Sequence, residues 1–335
     1  MMLKEMSLWT QKLNEGLQLA DVFYERNGLK LPKNIKKIAF VGMGGSGVAG
    51  RIFKTFLDRK GVVSLVIDSP IVPATLDTST LAIVVSASGK TWETLSILDE
   101  CTSKFIPTIV LAGGGDAIER AEKKGLPFVL LPKSLEPRSA LGHFLGFLGG
   151  LFDAMGLLPG RAMVGGWMKE SEKYIPTFVE AATFKNFLDA VNSSEVFHVW
   201  GIGGDSASVA YRAKTQFNEN SKVQAMYSEF PELCHNLTVG FEVFKQNPVV
   251  VFFYSDFLPT NMILGIQAFG EILKEKRVVL YKPPVFGDTF ENQLFNMILW
   301  SDFASYFLGK ARGVTIEKVQ IIEELKKQQK LKGIK

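Results

Sequence analysis

The chain has 335 residues, of which 47% are hydrophobic and 21% charged, and its formal net charge is +4. A single core rarely grows to this size, so two domains are expected, and the hydrophobic content excludes an intrinsically disordered chain. The net charge is slight and many lysines lie in the last dozen residues, so no basic face is indicated and nucleic acid binding is not expected. Cys101 and Cys234 lack CxxC or His-rich spacing, which argues against a disulfide framework and a zinc site.

Two features of the hydrophobic pattern bear on location. The N-terminus is charged and helix-like and lacks the long apolar stretch of a signal peptide. The most apolar segments, 141–158 and 248–269, are each interrupted by charged or other helix-breaking residues, so neither reaches the ~20 clean residues of a membrane-spanning helix. We therefore expect a cytoplasmic protein without a membrane partner, and we place both segments in the core.

The first half of the chain has the pattern of a doubly wound α/β domain. Residues 36–41 form a β-rich run that ends at GMGGSG, and helical spacing of apolar residues follows. Further apolar runs, separated by segments long enough for helices, lie at residues 64–67, 81–86, 108–112 and 128–132. Such continuous runs are typical of parallel strands that helices cover on both faces.

The second half repeats this pattern. Residues 196–217 replay the strand, glycine loop and helix of residues 37–56. Strands are then predicted at 247–255 and 277–282, and a helix with an apolar face at 292–309. The expected fold is therefore α/β, with two doubly wound parallel-sheet domains in tandem. The expected boundaries are a helical lead at 1–33, a first domain at 34–155, a helical connector at 156–190, a second domain at 191–312 and a tail at 313–335.

The first glycine loop can bind an anion. It satisfies GxGxxG through Gly42, Gly44 and Gly47, and it opens a helix, where backbone amides and the helix dipole favour negative charge. Asp68 follows about twenty residues later, so a dinucleotide site with Asp68 on a ribose hydroxyl is one alternative. Another is a tight turn in which the glycines only permit close packing.

A second loop, SASGKT, supplies hydroxyl groups. Ser86, Ser88 and Thr91 follow a strand and meet a helix start, where they can converge with Ser46 on one phosphate. The ordinary alternative is that Ser88 or Thr91 caps the helix. A triphosphate-binding P-loop is disfavoured because its pattern requires glycine where Val84 stands.

The two copies differ where chemistry is expected. The position of Ser46 is Asp205 in the second copy, where a carboxylate repels phosphate, so one copy is predicted to bind phosphate and the other is free for catalysis. Glu219 follows at a helix end, where a solvated surface charge is the ordinary interpretation. His235 lies in a following loop that we expect near the same sheet edge as Glu219.

Other candidates are weaker. His143 and His198 lie in apolar surroundings and are expected to pack in the core.

An aldose–ketose isomerisation needs a base to move a proton between C1 and C2, an acid or base for ring opening, and positive charge near the enediolate. Glu219 and His235 are suitable for the proton transfers, and Arg138 or Lys310 for the charge.

These motifs resemble those of the bifunctional phosphoglucose/phosphomannose isomerases, a branch of the phosphoglucose isomerase superfamily with two sugar isomerase (SIS) domains of flavodoxin-like type. The resemblance covers most of residues 38–312 and rests on GMGGSG, SxSGxT, PRxALG, KTQxNENxK, PELxHN and a late aromatic helix, in the family's order. It implies interconversion of fructose 6-phosphate with glucose 6-phosphate without metal or cofactor. Acceptance of mannose 6-phosphate stays open.

The resemblance also implies roles for individual residues. Arg138 would face the enediolate, Glu219 would be the C1/C2 base, and His235 would open the sugar ring. Lys310 would be a second ring-opening or substrate-binding residue. Because the histidine of this superfamily comes from the neighbouring subunit, a homodimer with shared active sites is expected. The residues expected to hold the substrate phosphate are Gly45, Ser46, Ser86, Ser88 and Thr91.

The chain departs from the family at a few positions. Ala87 replaces a frequent tyrosine and Lys90 an asparagine, and the family's late threonine has only Ser301 or Ser305 as a counterpart. Two other functions on the same fold remain open: an aminosugar-phosphate isomerase or deaminase, and a non-catalytic sugar-phosphate-binding module. The last would keep the phosphate loops without an acid/base pair.

Overall fold

The computed structural model describes residues 1–28, 34–132, 136–191, 194–243 and 248–334. Residues 29–33, at the end of the expected lead, and residue 247, at the start of one predicted strand, lie outside this set. The helices are α1 Met2–Met6, α2 Trp9–Asn27, α3 Gly45–Arg59, α4 Trp92–Ser103, α5 Gly115–Lys123, α6 Leu141–Ala154, α7 Gly160–Phe178, α8 Lys185–Val191, α9 Ala207–Gln216, α10 Thr260–Glu275, α11 Phe290–Ala311 and α12 Gln320–Leu331. The strands are β1 Lys37–Val41, β2 Val63–Ile67, β3 Thr80–Ser86, β4 Thr108–Ala112, β5 Phe128–Leu130, β6 Val196–Ile202, β7 Gln224–Phe230, β8 Val249–Phe252 and β9 Val279–Tyr281.

The chain divides into two compact units. The first unit comprises Leu8–Met168 and Val319–Lys335, and the second comprises Met1–Ser7 and Lys169–Lys318. Within the described residues, no helix is both long enough and apolar enough to span a bilayer.

The first unit contains a parallel sheet in the order β2-β1-β3-β4-β5. Every residue of β3 and β4 is buried, as expected for strands covered on both faces. This is the flavodoxin-like order, in which the strand order reverses between β1 and β3 and ligands bind beyond the carboxyl ends of those strands. The predicted strands of the first half are thereby confirmed.

The second unit contains a parallel sheet in the corresponding order, β7-β6-β8-β9. Strand β8 is buried at each of its positions, and helix α11 is buried along most of its length. Two parallel sheets with the same strand order confirm the α/β fold with duplicated doubly wound halves.

Strand β7 was not predicted. Its sequence is QAMYSEF, and several of its positions are exposed or half-buried. It lies at the edge of the sheet, where one side of the strand has no neighbouring strand in the described part of the chain. An edge strand tolerates polar residues, so the continuous apolar run that marks the central strands is missing here.

Candidate active site

The first glycine loop is a tight turn from β1 into α3. A Cβ at Gly47 would lie 2.5 Å from the Gly42 carbonyl oxygen, and Gly44 has a φ of +52°. The glycines therefore permit close packing, as the tight-turn interpretation of this loop predicts. The same turn also places the amino-terminal end of α3 at the carboxyl end of β1, where an anion is favoured.

A hydrogen bond joins this loop to the hydroxyl-rich loop. The Ala87 amide donates to Ser46 Oγ at 3.1 Å, across 41 residues of chain. Ser46 is only 8% exposed. The two loops that the sequence analysis expects to converge therefore meet at the carboxyl ends of β1 and β3.

The serine hydroxyls of this site accept hydrogen bonds from loop amides. Ser86 Oγ accepts from the Gly89 amide at 3.0 Å, and Ser88 Oγ accepts from the Lys90 amide at 3.3 Å. A hydroxyl oxygen that accepts from an amide still has its own hydrogen to donate. Thr91 stands at the N-cap of α4, but its side chain makes no capping hydrogen bond. The capping alternative therefore does not hold for Thr91.

Two further polar groups at the start of α4 were missed by sequence reasoning. Trp92 Nε1 and Thr94 Oγ1 are buried and have no hydrogen-bond partner among the described residues. Buried polar groups are ordinarily paired, so their position beside Thr91 is suited to a bound polar ligand or water. The available sequence signal is that two side chains able to form hydrogen bonds, Trp92 and Thr94, follow the SASGKT loop within the first turn of the next helix.

Arg138 lies against the glycine loop. It belongs to a 3-10 helix, Pro137–Ala140, is 3% exposed and forms an ion pair with Glu136 at 3.4 Å. A Cβ at Gly45 would lie 3.3 Å from the Arg138 Cα. The first unit thus brings together the predicted phosphate ligands and the predicted enediolate-facing arginine.

Asp68, which the dinucleotide alternative places on a ribose hydroxyl, already has a side-chain partner. The Asp68 carboxylate accepts from the Arg51 guanidinium at 2.5 Å, and both side chains are partly exposed. Arg51 belongs to α3, the helix that the glycine loop opens. This pair accounts for Asp68 without a ribose.

Asp205, in the second copy, makes the same connection as Ser46. Phe40 pairs with Ile83 and Val199 with Val251, so counting from these pairs makes Ala87 and Ser255 equivalent. The Ser255 amide donates to Asp205 Oδ2 at 3.0 Å, and the Ser255 hydroxyl donates to Asp205 Oδ1. The carboxylate is therefore an internal structural group.

Glu219 lies on a π-helical turn, Phe217–Ser221, at the end of α9. Asn218 Oδ1 accepts from the Ala225 amide at 2.7 Å, and Asn220 Nδ2 donates to Ser305 Oγ at 2.9 Å. The Lys222 ammonium donates to the Glu219 carbonyl oxygen. Neighbours on both sides thus hold the turn, and the Glu219 side chain is half-buried. Turns of this kind are frequent at functional sites.

Lys310 lies close to this turn along α11. A Cβ at Gly309 would lie 2.5 Å from the Asn220 carbonyl oxygen, so the last turn of α11 packs on the turn of Glu219. Lys310 itself is exposed. The candidates for the late threonine are fully buried: Ser301 Oγ donates to the Ile298 carbonyl oxygen, and Ser305 Oγ donates to the Asp302 carbonyl oxygen.

His235 is not near Glu219 along the sheet. The turn of Glu219 precedes β7, whereas His235 lies on a 3-10 helix, Glu232–His235, just after β7. A seven-residue strand spans about 20 Å, so the two lie at opposite ends of β7. The expectation that they share a sheet edge is wrong, because α9 runs back from the carboxyl edge to the amino edge before β7 begins. His235 is exposed.

The other histidines are internal. His143 is 3% exposed and its Nε2 lies 2.7 Å from Glu15 Oε2, a contact that the sequence did not predict. His198 is half-buried against the ring of Phe241, and burial lowers its pKa. Within the described ranges, no group of three or more His, Cys, Asp or Glu side chains is placed to hold a metal ion.

Comparison with known proteins gives concordant matches. The family described as the bacterial phospho-glucose isomerase C-terminal SIS domain matches residues 185–328. A bifunctional phosphoglucose/phosphomannose isomerase of Thermoplasma volcanium is 32% identical over 297 residues, which are 87% of this chain and 91% of the relative. Another, of Caldicellulosiruptor bescii, is 34% identical over 216 residues, 63% of this chain and 64% of the relative.

Solved structures agree on the fold. The crystal structure of glucosamine-6-phosphate deaminase from Thermotoga maritima matches with a TM-score of 0.67 at 16% identity, covering 95% of this chain and 96% of that chain. This likeness concerns the fold alone. From the extended sequence similarity to the Thermoplasma relative, with the motifs and the two parallel sheets in agreement, the chain belongs to the bifunctional phosphoglucose/phosphomannose isomerase family.

Proposed function

We propose that this protein is an aldose–ketose isomerase that interconverts fructose 6-phosphate with glucose 6-phosphate and with mannose 6-phosphate. The relatives named for activity on both epimers support the substrate range. The observation that carries the phosphate part is the set of serine hydroxyls at Ser46, Ser86 and Ser88, each accepting from a loop amide. Each retains a hydrogen to donate to a phosphate oxygen.

The second copy lacks this capacity. Ser206 Oγ accepts from the Ile202 amide at 3.1 Å but gives its hydrogen to the Phe253 carbonyl oxygen at 2.6 Å. Ser255 gives its hydrogen to Asp205. Since the hydroxyls of Ser206 and Ser255 are used internally, we assign the substrate phosphate to the first unit.

The proton transfer is assigned to Glu219. Its carboxylate removes the proton from C2 of the aldose, or from C1 of the ketose, and returns it to the other carbon through an enediolate. The isomerisation has no net oxidation, so it needs no external electron acceptor. In this proposal the Arg138 guanidinium stabilises the negative charge of the enediolate. Lys310 assists substrate binding or ring opening.

Ring opening is assigned to His235 of a second copy of the chain. The separation of about 20 Å along β7 between the turn of Glu219 and His235 supports this, since a base and an acid on the same sugar must lie much closer. An exposed His235 is available to a neighbouring subunit. We therefore propose a homodimer with shared sites.

The proposal extends to the cofactor and the compartment. The enediolate mechanism uses side chains throughout, so activity is expected without a metal or an organic cofactor. Cys101 and Cys234 are free thiols, as is usual in the cytoplasm, to which we assign the protein.

The decisive experiment is a coupled assay in which purified protein converts fructose 6-phosphate and glucose 6-phosphate dehydrogenase reports the product. It is run with and without EDTA, and in deuterated water to follow exchange at C1. We expect unchanged turnover with EDTA and deuterium in the product. Loss of activity on chelation would contradict the metal-free mechanism, and release of ammonia from glucosamine 6-phosphate, with no turnover of fructose 6-phosphate, would favour the deaminase alternative.

A further inference from the structure

The N-terminal helix α2 packs on α6 with their backbones in contact. A Cβ at Gly16 would lie 2.5 Å from the His143 carbonyl oxygen, and one at Gly146 would lie 2.2 Å from the Leu13 carbonyl oxygen. No side chain larger than hydrogen fits at these two positions without moving a helix. The position of α6 is therefore fixed by α2.

Helix α6 continues directly from the short 3-10 helix that carries Arg138. Lys12, on α2, donates from Nζ to the carbonyl oxygen of Ser139 at 3.0 Å. Ser139 is the next residue after Arg138. Lys12 is only 6% exposed, and burying an ammonium group is costly unless it is bound. The Lys12 ammonium also interacts with the Glu15 carboxylate of the same helix, and its hydrogen bond to Ser139 ties α2 to the backbone directly beside Arg138.

We infer that Lys12 is a positioning residue for Arg138. By binding the Ser139 carbonyl oxygen it holds the 3-10 helix against Gly45 of the phosphate loop, where the backbones of Arg138 and Gly45 are already in close contact. The proposed hydroxyl ligands of the phosphate lie on α3, at the end of β3 and on the loop before α4, not on this helix. Lys12 thus controls the group that stabilises the enediolate and leaves phosphate binding to other elements. The inference rests on the proposed function, which makes Arg138 the enediolate ligand.

The chain offers a matched control. Tyr24, also on α2, donates from its hydroxyl to the Leu151 carbonyl oxygen at 2.9 Å. Leu151 lies twelve residues beyond Ser139, about 18 Å along a helix. Tyr24→Phe therefore removes a similar side-chain-to-backbone contact of α2, this one with α6 and far from Arg138.

The test compares Lys12→Met, Lys12→Arg and Tyr24→Phe in the full chain. For Lys12→Met we expect kcat to fall about tenfold while the KM for fructose 6-phosphate changes less than about twofold, because the substitution displaces Arg138 and leaves the proposed phosphate ligands in place. Binding of 5-phosphoarabinonate, whose carboxylate imitates the enediolate, should weaken by a similar factor, and binding of inorganic phosphate should not change. Lys12→Arg should recover most of the loss, and Tyr24→Phe should leave kcat unaltered even if it lowers the melting temperature.

A second readout separates this inference from the proposed function. Hydrogen exchange of the amides of residues 139–142 should be faster in Lys12→Met and unchanged in Tyr24→Phe, whatever the substrate proves to be. An inactive wild-type protein with this exchange pattern would refute the proposed isomerase and leave the positioning contact intact. The inference would be overturned if Lys12→Met kept both the wild-type kcat and the wild-type hydrogen exchange. It would also be overturned if Lys12→Met and Tyr24→Phe lost kcat equally.

Discussion

At the scale of single residues, the two glycine loops differ in what their side chains leave available. Ser46 and Asp205 both accept from the backbone amide of an equivalent residue in the neighbouring loop. The hydroxyl of Ser46 keeps a hydrogen for an anion, whereas the carboxylate of Asp205 brings negative charge and takes a second bond from Ser255. The difference between Ser46 and Asp205 thus separates the proposed phosphate site from a buried structural carboxylate.

The role of Glu219 gives the sharpest prediction at this scale. General base catalysis contributes about 10²–10⁴ in rate, so Glu219→Gln should lower kcat by that order while the KM for fructose 6-phosphate changes little. The amide keeps the shape of the side chain and the bonds of Asn218 and Asn220. Glu275→Gln, an exposed position at the end of α10, is the control and should turn over normally. Solvent deuterium exchange at C1 measures the step, and wild-type exchange in Glu219→Gln would assign the base to another residue.

His198 should make the stability of the second unit depend on pH. Burial lowers the pKa of His198 below its ordinary value of 6.5, so the unfolded chain takes up this proton more readily than the folded one. Its contribution is therefore fully present above about pH 6.5 and is lost as the pH falls through that value toward the folded-state pKa. His198→Leu should show a smaller drop in melting temperature between about pH 7.5 and pH 5 than the wild type does. An equal drop in His198→Leu and in the wild type would show that other groups dominate the pH dependence.

At the scale of elements, the sequence predicts best the strands whose two faces are buried. The central strands β3 and β4 were predicted because both faces are buried, which demands an unbroken apolar run. The edge strand β7 was not predicted, because its exposed polar residues interrupt the apolar run. The meeting of the two loops was predicted, but the particular bond between Ser46 and Ala87, 41 positions apart, is not encoded in any local pattern.

The hydroxyl-rich loop depends on one glycine for its shape. Gly89 has a φ of +65°, and a Cβ there would lie 1.6 Å from the Gly114 carbonyl oxygen, so Gly89→Ala must move the backbone that presents Ser88 and Thr91. We expect the KM for fructose 6-phosphate to rise at least about tenfold, since the hydrogen bonds to phosphate are charge-assisted. Gly61 has a φ of +74° with nothing within 4 Å of a Cβ, so Gly61→Ala carries the same backbone strain, about 1–2 kcal/mol, without the collision. Its KM should be unchanged, and equal KM values in the two variants would contradict this role of the loop.

At the scale of the whole molecule, duplication explains why one fold can carry two separate tasks. Each copy keeps the strand order and the bond between its glycine loop and the next loop. In the first copy the proposed phosphate ligands lie at the carboxyl edge of the sheet. In the second copy the candidate base lies beyond the opposite edge, on the turn that follows α9. Because His235 stays at the carboxyl end of β7, a single chain cannot bring it to Glu219 along that strand.

The proposed homodimer with shared sites predicts complementation between inactive variants. Glu219→Gln removes the base and His235→Ala removes the ring-opening group, so each homodimer should have little activity on the cyclic sugar. In a mixed dimer, one of the two sites combines Glu219 of one chain with the partner's intact His235, and the other site has neither. Random pairing makes half of the dimers mixed, so coexpression should restore about a quarter of the wild-type activity, as expected for a two-fold symmetric pair. Coexpressing Glu219→Gln with Glu219→Ala provides the control, because no combination of those chains holds a base. If the mixed preparation has no more activity than the separate variants, each site takes both residues from one chain, and the assignment of His235 to the neighbouring subunit is wrong.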